Sequence, residues 1–327
     1  KQTLYLSSSE LNADGRPLTP SRLLAEIEEE LITGASTEEA ESSFAPLDQV
    51  APKLDRSAID QPLVASLFME RGFSATSLNN YLRDPWEFYF KNILRVPEVQ
   101  PPHMLFGTAV HAVLQRATTQ HTKNGSLPTD AQLIEWLELS LSRLPLTTAE
   151  YTRLHAKGLE ILVPYVQQLS GVLPVKTEEE FSISVELSTG NELIPTIPLK
   201  GNLYRLDFNT DGQLQQVVDY KTGKPKSRNV IEGKTQSSDG AYKRQLTFYA
   251  LLLDLYDDER YQSHTGVLSF VESAAAGVVK EEVFVITSAE VEELKQEIIQ
   301  SAVSIVEGKW ATTECDPSLC DYCHLVD

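Results

Sequence analysis

Two segments constrain the fold most: L-K-G-N-L-Y-R-L-D-F (199–208) and Q-L-Q-Q-V-V-D-Y-K-T-G (213–223), joined across Asp211-Gly212. Apolar-alternating runs on either side of Asp-Gly predict an antiparallel hairpin, because a two-residue type I′ turn needs positive φ at both central positions. The second strand ends in Asp219-Tyr220-Lys221, and residues two apart on a strand share a face. A carboxylate able to hold a divalent metal therefore sits beside an ammonium able to steady a water or a phosphate oxygen.

V-V-D-Y-K-T-G, preceded by a strand reading G-x-x-x-R-x-D (Gly201, Arg205, Asp207), resembles the PD-(D/E)XK nuclease superfamily in its RecB/AddB branch, found at the C-terminus of UvrD-type DNA helicases. Upstream, F-G-T-A-V-H (106–111) resembles that branch's G-x-x-x-H helix, and Q-L-T-F-Y (245–249) its Q-x-x-x-Y helix. The motifs stand in the family's order and the resemblance covers roughly residues 72–327. It implies an α/β fold, a restriction-endonuclease-like mixed sheet core flanked by helices with additional helical covering. His111 and Asp219 become the implied metal ligands, Asp219 and Lys221 the implied catalytic pair, and Mg²⁺ or Mn²⁺ the implied ion. Gln245 and Tyr249, at i and i+4 of one helix, become the groups that position DNA or the metal-bound water. The implied substrate is DNA, expected to be single-stranded. Taken alone, an inward His is usually a hydrogen-bonded core residue, and an Asp and a Lys at a strand end usually form an ordinary ion pair.

One position departs from the family pattern. The strand usually reads G-x-x-D-R-x-D, whereas here Tyr204 occupies the first Asp position. A two-residue turn pairs Thr210 with Gln213, which sets Tyr204 opposite Asp219 and Asn202 opposite Lys221; directly paired residues share a face. Asp207 then faces the other side unless a bulge intervenes. A tyrosine thus stands where a metal carboxylate belongs, with Glu178, Glu179 or Glu180 left to supply one. The expectation is a nuclease fold with weakened catalysis; the alternative is an inactive module that binds or guides single-stranded DNA and braces a helicase.

With 327 residues and 41% hydrophobic content, the chain can form one large domain or two modest ones. No apolar run approaches the ~20 residues of a membrane span and no segment reads as a signal peptide. The expectation is a cytoplasmic protein with no membrane partner. T-L-Y-L-S-S-S…P-S-R-L-L-A-E-I (3–27) resembles the end of a UvrD-type motor domain. Residues 1–32 are therefore expected to be the remnant of a motor upstream in the same polypeptide, 33–71 a linker, and 72–327 the nuclease-like domain. A formal charge of −19 argues against a freestanding nucleic-acid binder. Yet Lys224, Lys226, Arg228, Lys243 and Arg244 cluster after the site, where they are the expected DNA contacts; a merely solvated basic loop is the other reading.

Periodicity and caps predict helices at 20–32, 106–118, 131–144, 150–169, 241–256 and 288–307, with strands at 180–187, 199–208, 213–222, 264–271 and 280–286. Ser74 can cap one further helix, and Asp84-Pro85 can begin another carrying Trp86, Phe88, Tyr89 and Phe90, a stacking platform for bases or, more commonly, core. Many RecB/AddB-type domains carry an iron–sulfur cluster on four cysteines, the first in a C-P pair. Here that pair reads Asp84-Pro85, and the tail offers Cys315, Cys320 and Cys323. An intact cluster is not expected. Three thiols with His324 could hold Zn²⁺ or an incomplete cluster, and free thiols are the default in a reducing compartment.

Overall fold

The computed structural model describes residues 54–326 apart from 171, 172, 175 and 257, together with residues 27 and 31. The expected helix at 20–32, the motor remnant and the first part of the linker lie outside the described residues. Strands β1 (Lys176–Ser188), β2 (Thr196–Phe208), β3 (Leu214–Lys221), β4 (Thr265–Phe270) and β5 (Lys280–Val285) form one sheet in sequence order. The β3–β4 step is parallel and the other three are antiparallel. A parallel neighbour requires a crossover, because a hairpin cannot return the chain in the same direction.

The longer helices are α1 (Gln61–Arg71), α2 (Ala75–Arg83), α3 (Pro102–Asn124), α4 (Asp130–Ser142), α5 (Thr148–Leu169), α6 (Ala241–Tyr256) and α7 (Ser288–Val306). Of these, α6 lies within the β3–β4 crossover. One hydrophobic core joins α1, α2, α6 and α7 to one face of the sheet, and a second joins α3, α4 and α5 to the other. The alternation of strand side chains sorts β3 between them: Val217 enters the first core, Val218 and Tyr220 the second. This is the mixed α/β architecture that the sequence implies.

The hairpin differs in detail from the expected two-residue turn. Only Gly212 has positive φ (+78°), so Asp211 does not adopt the type I′ geometry. The loop instead spans 210–212: Gly212 N–H donates to the Asn209 carbonyl at 3.1 Å, and Asn209 N–H to the Gln213 carbonyl at 2.9 Å. Asn209 Oδ1 accepts from the amides of Asp211 (3.0 Å) and Gln213 (2.9 Å), which closes a three-residue loop with glycine in the left-handed position. This loop pairs Phe208 with Leu214, one residue out of the expected register. An irregularity between Asp207 and Phe208 then restores it, pairing Asp207 with Gln216 and Arg205 with Val218. The β2–β3 ladder ends at Arg205–Val218, and Tyr204, the next residue, packs against the second core.

Gly201 explains how closely α6 approaches β2, since a Cβ there would lie 2.7 Å from Leu252 Cδ1. The packed body begins before the expected boundary at residue 72. In place of linker, α1 buries Val64 and Phe68 in the first core, and Gln61 Nε2 donates to the Ile305 carbonyl at 2.6 Å. Trp86, Phe88, Tyr89 and Phe90 are all buried, with Trp86 edge-on to Trp310 at 5.1 Å and Tyr89 stacked on it at 4.8 Å. These rings are core and offer no platform to a base.

Candidate active site

Asp219 lies on the β3 face covered by α6, and its 2% exposure places a carboxylate where charge must be compensated. Compensation comes from β3 itself and from α6. Lys221 Nζ lies 2.8 Å from Asp219 Oδ2 as an ion pair and donates to Gln245 Oε1 at 2.7 Å. Gln245 Nε2 reaches Tyr249 Oη at 2.7 Å and Asp219 Oδ1 at 3.2 Å, and Tyr249 Oη donates to the same Oδ1 at 3.2 Å. Helical spacing of i and i+4 is what points Gln245 and Tyr249 at one carboxylate. Burial and the neighbouring Asp219 push the Tyr249 hydroxyl well above its ordinary range, so it stays a proton donor.

His111 reaches the site from α3 on the opposite face. Burial lowers its pKa, with Asp219 opposing and Lys221 reinforcing the shift; a hydrogen bond to the Tyr220 backbone also opposes it. The ring is therefore held in the neutral form that can ligate a metal. Tyr204 is its neighbour, ring centroid to ring centroid 4.4 Å. Tyr204 also lines both cavities of the region. One, of about 460 Å³, is bordered by His103, Gly107, His111 and Thr222; the other, of about 500 Å³, by Ser74, Lys200, Asn202, Gln245 and Tyr249.

Asp207 does not substitute for the missing acid. Arg205 holds it through Nε and Nη2, both at 2.7 Å, and Gln216 Nε2 adds a third bond at 2.8 Å. The side chains of Glu178, Glu179 and Glu180 lie outside the described residues. Among the described residues, no third carboxylate, imidazole or thiol joins His111 and Asp219 in a compact ligand cluster.

The family model of the PD-(D/E)XK nuclease superfamily matches residues 72–327. The chain belongs to the PD-(D/E)XK nuclease superfamily. No curated protein sequence matches it. Among solved structures it is similar to a crystal structure of an Eubacterium rectale protein assigned as an exonuclease. The two share 11% identity with a TM-score of 0.46, over 83% of this chain and 91% of that one.

PD-(D/E)XK nucleases generally use divalent metals such as Mg²⁺. At this PD-(D/E)XK site the buried His111 Nδ1 has no hydrogen-bond partner among the described residues, and Asp219 Oδ2 faces only the Lys221 ammonium, 2.8 Å away. A buried ring nitrogen without a donor, beside a carboxylate oxygen, suits a cation. One carboxylate and one imidazole are a lean set for a hard cation.

The five expected DNA contacts separate into two groups. Arg228 pairs with Glu232 at 3.1 Å and Glu282 at 3.5 Å, Lys243 with Glu290 at 3.0 Å, and Arg244 bonds Asn79 Oδ1 at 2.6 Å. These three are paired within the fold. Lys224 and Lys226 are exposed, and Lys226 Nζ lies 4.3 Å from the centre of the Tyr242 ring. Lys221 Nζ lies 4.4 Å from the same ring. Sequence reasoning missed Tyr242; its position three residues before Gln245 on the same helix is the signal that could have found it.

The cysteines correct the expectation of free thiols. Cys315 and Cys323 form a disulfide, and Cys320 is free and buried. The tail folds back so that Asp84 Oδ2 accepts from Asp316 N–H at 3.0 Å, while Oδ1 caps Trp86 N–H at 2.8 Å. Asp84, Cys315, Cys320 and Cys323 are gathered into one buried group, which does not include His324. The donor atoms of this group all lie within 4.8 Å of one another.

Proposed function

We propose that this chain is a DNA-acting nuclease domain of the RecB/AddB type, working in DNA processing or repair in a polypeptide with a UvrD-like helicase motor. Its phosphodiester hydrolysis is metal-dependent and weakened by Tyr204. The observation that carries the reading is the buried Asp219–Lys221–Gln245–Tyr249 network facing a neutral His111. His111 Nδ1 and Asp219 Oδ2 would hold the divalent ion, which when bound polarises a phosphate and activates water. Lys221, 16% exposed at the rim of the network, offers an ammonium to a phosphate oxygen. Gln245 and Tyr249 fix the second Asp219 oxygen and so orient the carboxylate. Lys224 and Lys226 lie beside the site as phosphate contacts, with Tyr242 a ring on which a base of a single strand can stack.

Tyr204 favours a second reading, in which the domain binds or guides single-stranded DNA without cutting it. An aromatic ring in the acid position removes a charged ligand and places a stacking surface between the two cavities. Cleavage of labelled single- and double-stranded DNA in Mg²⁺ and in Mn²⁺, with binding measured in parallel, separates the two. Slow cleavage lost in Asp219→Ala supports the nuclease. Binding with no cleavage in either metal supports the guide.

A further inference from the structure

We propose that Asp84, Cys315, Cys320 and Cys323 form a single-ion zinc site, with Asp84 as the fourth ligand, whenever the Cys315–Cys323 disulfide is reduced. This site is separate from the nuclease centre and does not depend on how that centre works. One donor atom from each residue lies within 4.8 Å of the other three, and all four residues are buried. A tetrahedral Zn²⁺ with Zn–S near 2.3 Å and Zn–O near 2.0 Å separates its ligands by about 3.5–3.8 Å, so closure needs only small movements. Three soft sulfurs and one carboxylate are a donor set suited to zinc and poorly suited to Mg²⁺.

The surroundings are already those of a metal ligand shell. Asp84 is oriented by the amides of Trp86 and Asp316, and a carboxylate with two oxygens retains lone pairs beyond those bonds. Tyr322 N–H donates to Cys320 Sγ at 3.4 Å and so orients the sulfur.

The chemistry balances. A phosphine gives two electrons to the disulfide and becomes the phosphine oxide, with water supplying its oxygen and the two thiol protons; Zn²⁺ then displaces three thiol protons to solvent and accepts the Asp84 carboxylate. Disulfide and zinc exclude each other: the disulfide closes a loop within the tail, whereas zinc on Asp84 ties the tail to the body.

The test uses the full chain reduced with a phosphine, freed of metal and titrated with Zn²⁺, with Co²⁺ as the spectroscopic probe. We expect one zinc per chain, tetrahedral Co²⁺ bands with thiolate charge transfer, and no stoichiometric binding by Cys320→Ser. Asp84→Asn, whose amide oxygen still caps Trp86, should bind about 10-fold or more weakly, and His324→Ala should bind as the unaltered chain does. Should Asp84→Asn fail to fold, Asp84→Cys gives the second arm, raising the thiolate charge-transfer intensity from three sulfurs towards four. Absence of stoichiometric zinc in the folded, reduced chain overturns the proposal. So does loss of zinc in His324→Ala with none in Asp84→Asn, or purification of the chain with iron and sulfide in cluster ratio.

Discussion

At the scale of single residues, the site depends on which buried atoms have partners. Lys221→Met removes the ammonium beside Asp219 Oδ2 and should lower single-turnover cleavage by about 10²–10³, the effect of deleting one preorganised electrostatic group. Rates measured at saturating metal check that, because they separate lost chemistry from lost binding. His111 supplies a pH signature. Its folded pKa lies below its unfolded value, so the unfolded chain binds more protons between the two, and stability falls as pH drops below about 6.5 and through the folded pKa. His111→Gln removes the titrating group. Its thermal midpoint should fall less than that of the unaltered chain on going from pH 7.5 to pH 5.5, as differential scanning fluorimetry would show.

At the scale of elements, β2 divides its labour between two faces. Arg205 and Asp207 are buried together and their bonds are made within the sheet's second face. Asp207→Ala strands a buried guanidinium and should cost about 3–5 kcal/mol in denaturant unfolding. A loss of that size without a change in metal affinity marks Asp207 as structural. This strand also shows how far the sequence was legible. Alternation and the motif order gave the sheet, the helices and the Arg205–Val218 and Asp207–Gln216 pairs, because burial on two faces leaves each strand little freedom. The turn itself was misread: Asp-Gly permits a type I′ turn, but Asn209 Oδ1 captures two loop amides and selects a longer loop. A shift between Asp207 and Phe208 then cancelled the error. Ion pairing of Arg228, Lys243 and Arg244, and the meeting of Asp84 with the tail, depend on contacts across many residues that no local pattern records.

At the scale of the whole molecule, an acidic body carries a small basic patch. With Lys221, Lys224 and Lys226 as its cations, the isolated chain should bind single strands weakly, with a log–log salt slope near −2 from about three phosphates at ~0.7 each. Fluorescence anisotropy across a salt series would show it, and a slope steeper than about −5 would mean that a larger basic surface is in use. No helix among the described residues is long and apolar enough to cross a membrane. What remains specific to this domain is the metal site, and there the account commits itself to one residue. The decisive measurement is Mg²⁺-dependent cleavage of single-stranded DNA by the unaltered chain, Tyr204→Asp and Asp219→Ala, side by side. The account predicts slow cleavage by the first, a rise of about 10-fold or more in the second and none in the third. Robust cleavage by the unaltered chain, abolished in Asp219→Ala and not raised in Tyr204→Asp, would contradict it.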